Sequence, residues 1–119
     1  MTDRRQRLGR AGEDAVATWY EARGFAVVDR NWRTREGELD LVLRAGRTIV
    51  FCEVKTRRDD TFGSPFEAVT PTKQRRLRAL AARWLADHGG GGGAVRFDVA
   101  AVRVGVDGGL SVEVCCGAF

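Results

Sequence analysis

Apolar residues between positions 9 and 23 recur at three- and four-residue steps. Ala11, Ala15, Trp19 and Ala22 mark one side of a helix, and Gly24 supplies its stop. The period then shortens. FAVVDRN (25–31) has the short apolar run of a strand, and further strands are predicted at about 38–44 and 47–56, joined by a tight turn at Ala45–Gly46. A polar, turn-rich segment, RRDDTFGSP (57–65), leads to a second helix. Thr70 is suited to its N-cap and Pro71 to its first position, while Leu77, Leu80, Ala81, Trp84 and Leu85 form its apolar stripe. The glycines at 89–93 end it. Two more strand patterns, 94–104 and 109–116, flank a VDGG turn. The glycine run reads as a loop rather than a boundary, because the chain beyond it is too short to fold alone, so residues 1–119 form one domain. The order α-β-β-β-α-β-β predicts an α/β fold with a mixed sheet flanked by helices.

One hairpin breaks its own pattern. GELDLVLRAGRTIVFCEVKTR (37–57) is largely apolar, yet it carries Glu38, Asp40, Glu53 and Lys55. Side chains alternate faces along a strand, so Glu38, Asp40 and Val42 share one face and Leu39, Leu41 and Leu43 the other. On the second strand Ile49, Phe51, Glu53, Lys55 and Arg57 fall together. A turn at Ala45–Gly46 would set Arg44 opposite Arg47, Glu38 opposite Glu53 and Asp40 opposite Phe51. Asp40 and Glu53 then become diagonal neighbours, roughly 7–8 Å apart at the backbone. Converging carboxylates repel unless a cation sits between them, and their oxygens suit Mg²⁺ or Mn²⁺. Lys55, two residues beyond Glu53, lands beside the same site, placed to orient or deprotonate a water or to neutralise phosphoryl charge.

Composition sharpens the point. Of twenty basic residues only Lys55 and Lys73 are lysine; the other eighteen are arginine. Arginine is effectively never deprotonated, whereas lysine is a compact charge with a tunable proton affinity, so a lysine closing EVK points to chemistry. The net charge of +4 suits a polyanionic partner such as nucleic acid. Three cysteines, two of them adjacent, and a single histidine leave no disulfide framework and no zinc knuckle. The charged opening stretch MTDRRQRLGRAGED lacks the apolar core of a secretory signal. No apolar run approaches the ~20 residues that span a bilayer, so a cytoplasmic protein without membrane contact is expected.

GELD followed by EVK resembles the core of the PD-(D/E)xK nucleases, and the αβββαβ order is similar to their restriction-endonuclease-like fold. More closely, GRAGEDAVATWY, GFAVVDRNWRTREGELDLV, IVFCEVKTR, FGSPFEAV, the helix from Lys73, RFDV and the final AF resemble the YraN-like bacterial family, related to Holliday junction resolvases. The resemblance implies a metal held by Asp40, Glu53 and the Val54 carbonyl. It implies a water handled by Lys55, and Glu13 as an additional acid at the site. Glu38 stays open between a supporting acid and a solvated edge residue. Two positions depart from the pattern: Leu39 stands where PD has proline, and Cys52 where this family has valine.

Arg57 shares the face of Glu53 and Lys55, and Lys73 lies in the first turn of the second helix, where free backbone amides favour an anion. Both are expected to bind nucleic acid. Arg75, Arg76 and Arg78 either extend that rim or form a solvated basic face. Trp32 is expected to pack under the sheet, and His88 to act at a helix C-terminus. The expected activity is metal-dependent endonucleolytic cleavage of DNA, on branched or flapped structures, with a homodimer where junctions are resolved. The alternatives are a nucleic-acid-binding module of the same fold with an idle site, and an interaction protein with a solvated charged surface.

Overall fold

The computed structural model describes residues 3–58, 66, 69–89 and 92–119. Most of RRDDTFGSP and FGSPFEAV, and the centre of the glycine run, lie outside the described residues. Helix α1 (Arg4–Glu21) precedes strands β1 (Ala26–Thr34), β2 (Gly37–Ala45) and β3 (Thr48–Arg57). Helix α2 (Pro71–Asp87) and strands β4 (Ala94–Val104) and β5 (Leu110–Cys115) follow. The sheet order is β1-β2-β3-β4-β5, antiparallel except for β3 and β4, which run parallel with α2 as their crossover. The expected α/β architecture, a mixed sheet flanked by helices, is therefore present.

Each helix takes one face of the sheet. On one side Val16 and Tyr20 of α1 pack with Leu41, Leu43, Val50, Cys52, Ala100 and Val102. On the other, Leu77, Leu80, Ala81 and Trp84 of α2 pack with Leu39, Val42, Phe51 and Val99. Each large aliphatic residue so buried contributes roughly 1.5–3 kcal/mol. Helix α1 starts five residues before its apolar periodicity does. Asp3 caps it, accepting a hydrogen bond from the Gln6 N–H at 2.8 Å, and the opening turns are polar and exposed, so no burial pattern marks them.

Two details of the hairpin correct the expectation. The turn residues are Gly46 and Arg47, with Ala45 opposite Thr48 and Arg44 opposite Ile49. Gly46 takes the left-handed conformation at φ +58°, a position that alanine would resist. The register therefore moves by two positions, and Val42 rather than Asp40 faces Phe51. An even shift preserves faces, so Val42 and Phe51 still share the α2 side. Leu39 does not keep the company of Leu41 and Leu43: it joins the α2-side core with Trp32 packed nearby. The ladder between β2 and β3 ends at Leu41–Cys52; beyond it β2 pairs only with β1, whose Asn31, at φ +51°, lies between the Arg30–Leu41 and Trp32–Leu39 pairs.

A fully buried carboxylate stitches the α1 side together. Asp98 accepts hydrogen bonds from the Tyr20 hydroxyl (2.5 Å), from Arg96 Nε and Nη2 (2.9 Å each) and from the Gly117 N–H (2.9 Å). Next to it the Ala118 N–H donates to the Phe97 carbonyl at 2.7 Å, and Phe119 stacks on Phe97.

Candidate active site

The end of the β2–β3 ladder is where the polar residues gather. Asp40 lies one residue beyond the last pair, and its Oδ2 accepts a hydrogen bond from the Val54 N–H at 2.8 Å. The side chain satisfies an amide of β3 where the β2 backbone no longer pairs. On β3, Glu53 Oε1 and Lys55 Nζ lie 3.0 Å apart, with side chains 13% and 16% exposed. Lys73 enters from α2, its backbone N–H held by the Thr70 hydroxyl at 3.3 Å in the expected cap, and its amine lies beside that of Lys55. Both lysines of the chain thus meet at one place.

Glu13 arrives from α1, and the residue before it explains how. A Cβ on Gly12 would overlap the Thr56 hydroxyl, so only glycine lets α1 approach β3 this closely, one residue from Lys55. Asn31 donates from Nδ2 to Glu13 Oε1 at 3.2 Å. Asn31 itself sits at φ +51°, a strained region that asparagine tolerates better than most residues. Arg33 Nε donates to Glu38 Oε2 at 3.1 Å. One carboxylate oxygen from each of Glu13, Glu38 and Asp40 lies within 4.8 Å of the others.

The electrostatics follow from this crowding. Burial, then the charge of Glu53, pushes Asp40 up to about 8; the Val54 amide opposes this, and Glu13 and Glu38 add to it. Burial likewise raises Glu13, against the hydrogen bond from Asn31. Burial works against the Lys55 ammonium, but the charge and hydrogen bond of Glu53 outweigh it and raise its proton affinity. Lys73 moves down, because its hydrogen bond with Lys55 and its own burial both disfavour a second ammonium. The cluster is thus rich in hard oxygen donors and short of positive charge, the donor set that fits Mg²⁺ or Mn²⁺. A cavity of about 240 Å³ opens in front of it, lined by Asp40, Glu53, Lys73 and Arg76.

Of the residues singled out in the sequence, Glu13, Asp40, Glu53, Lys55 and Lys73 converge. Val54 joins through its amide. Arg57 is exposed at the end of β3. Arg75 donates to the Thr72 hydroxyl, and Arg78 lies over the Phe97 and Phe119 rings, which turns it away from a rim role. Trp32 packs against the core as expected, and His88 caps α2, its ring stacked on Trp84 and its Nδ1 2.7 Å from the Trp84 carbonyl. Sequence reasoning left Glu38 open and passed over Asn31. The signal for Glu38 was its place two residues before Asp40; for Asn31 there was only its tolerance of positive φ.

Residues 12–102 match the family described as "Uncharacterised protein family UPF0102". A UPF0102 protein of Frankia alni is 54% identical over 112 residues, covering 94% of this chain and 93% of its own. One from Beutenbergia cavernae is 57% identical over 95 residues and 80% of each chain, and one from Anaeromyxobacter dehalogenans is 50% identical over 117 residues, covering 98% and 87%. Among solved structures, Pyrococcus furiosus SfsA in complex with Ca²⁺ aligns with a TM-score of 0.43 and 13% identity. That alignment covers 87% of this chain and 62% of SfsA, so the chain spans less than two thirds of that protein. The chain belongs to the UPF0102 family, the YraN-like family that its sequence resembles.

Proposed function

We propose that this UPF0102 protein is a metal-dependent endonuclease of the PD-(D/E)xK kind that hydrolyses phosphodiester bonds in DNA. The observation that carries this reading is the meeting of Asp40, Glu53 and both lysines beside a cavity, with Glu13 and Glu38 adding acid ligands. Asp40 and Glu53, with the Val54 carbonyl, would hold Mg²⁺ or Mn²⁺, and Glu13 and Glu38 lie within reach of Asp40. The ion, when bound, supplies positive charge to the scissile phosphate and acidifies water. Lys55, kept protonated by Glu53, donates hydrogen bonds to the attacking water and to the charge developing on the phosphoryl oxygens. Lys73 holds a phosphate oxygen. Water oxygen bonds to phosphorus as the bond to the 3′-oxygen breaks; that oxygen takes a proton, leaving a 5′-phosphate and a 3′-hydroxyl. Arg57 and Lys73 contact the backbone on either side of the cut. Resolution of a branched junction requires two such sites, hence a homodimer on that class of substrate.

The test is cleavage of labelled single-stranded, duplex, flapped and four-way DNA, in Mn²⁺ or Mg²⁺ and in EDTA. Lys55→Ala is expected to lose roughly 10²–10⁴-fold in rate while keeping oligonucleotide affinity. Absence of cleavage on every substrate, with salt-sensitive binding retained, would reduce the protein to a binding module.

A further inference from the structure

A groove leads away from this site along α2. Lys73, Arg76, Leu80 and Arg83 follow one another at three- and four-residue steps, so they lie on one flank of the helix over about 15 Å. Two cavities open on that flank. The first is the 240 Å³ space before Asp40 and Glu53; the second, about 350 Å³, is lined by Glu36, Ala79 and Arg83. Arg76 and Leu80 line both, so the two spaces adjoin along the helix.

The walls have opposite signs. Lys73, Arg76 and Arg83 stand on the helix, and Glu36 on the β1–β2 turn and Glu38 at the start of β2 face it. Gly37, at φ +151°, brings the turn in close: a Cβ there would press on the Leu80 methyl at 3.3 Å. Arg76 occupies the junction, exposed, and among the described residues its guanidinium makes no hydrogen bond or ion pair. Arg83 reaches Glu36 only at 3.4 Å, with both side chains more than half exposed, so this pair exchanges readily with solvent or a ligand.

We infer that the groove binds an unpaired polynucleotide strand running into the site, an inference that rests on the nuclease reading only for where that strand is cut. A single strand can set its phosphates on Lys73, Arg76 and Arg83 and turn its bases to the opposite wall. There the exposed carboxylate of Glu36 accepts hydrogen bonds from exocyclic amino groups such as cytosine N4. A duplex would bring a second backbone against Glu36 and Glu38, whose charge repels its phosphates. The substrate class is therefore nucleic acid with a free single-stranded arm.

Fluorescence anisotropy tests this with labelled oligodeoxycytidine and a labelled hairpin duplex, in EDTA and over a salt series. Arg76→Ala is expected to weaken single-strand binding by about fivefold or more and to lower its salt slope by about one, with little change on the duplex. Arg83→Ala, farther along, gives a smaller loss with the same selectivity. Equal weakening on both probes, or none on the single strand, overturns the groove. Cleavage that persists with an inert Arg76→Ala removes the groove and keeps the nuclease. Strand-selective loss in a protein that never cleaves keeps the groove and removes the nuclease.

Discussion

Two aspartates of the sheet stand in opposite circumstances. Asp98 is wholly buried and receives four hydrogen bonds, from a tyrosine, both forks of an arginine and a backbone amide. Asp40 is half-buried, receives one from the Val54 amide, and faces the carboxylates of Glu13, Glu38 and Glu53. The first is a completed network, whose members hold α1, β4 and the Gly117–Phe119 segment together. The second is charge left unbalanced by the protein itself. Such crowding is common where a ligand from outside the chain completes the balance, which is why the proposed site is drawn at Asp40 rather than at Asp98.

Removing each carboxylate separates the two most strongly. Asp98→Ala leaves Arg96 and Tyr20 without their partner, a loss of about 3–5 kcal/mol for a broken buried pair. A fall of at least about 10 °C in melting temperature is expected in a thermal melt. Asp40→Asn in EDTA is expected to melt no lower than wild type at neutral pH, since it relieves like-charge crowding. Equal losses in the two variants would erase the distinction.

Acidity gives the next contrast. Asp40 titrates near 8 in the folded chain and near 4 when unfolded, so between those values the native state binds more protons. The metal-free protein should therefore lose stability as pH rises from about 4 to 8, by a few kcal/mol at most. Chemical denaturation in EDTA across that range measures it. Asp40→Asn should flatten the slope, and an unchanged slope in that variant would place the titration elsewhere.

The smallest effect tests how the site is assembled. Gly12→Ala forces α1 away from Thr56, costing about 1–3 kcal/mol as an overpacked contact. It also shifts Glu13, so Mn²⁺ affinity should fall with stability. Full metal affinity in a destabilised Gly12→Ala would detach Glu13 from the cluster.

Much of this was legible in the chain. The element order followed from the change of hydrophobic period, and α2 from Thr70, Pro71 and its apolar stripe. Period-two alternation put Val42 and Phe51 on one face, a reading that survived a wrong turn because the register moved by two residues. What alternation could not supply was the end of the ladder. Past Leu41 β2 leaves β3 and pairs only with β1, and there Leu39 changes company and Glu38 comes within reach of Glu13 and Asp40. Asn31 depends on a backbone conformation, and Asp98 on partners 78 and 19 residues away, Tyr20 and Gly117. Such long-range pairings leave no local period to read.

The nuclease proposal stands on a divalent ion completing the Asp40 cluster. Calorimetric titration of Mn²⁺ into the folded wild type, Asp40→Ala and Glu53→Ala tests it most directly. Saturable binding to wild type is expected, with loss of it in both variants and folding retained by circular dichroism. Binding that is unchanged in both would contradict a metal-centred site.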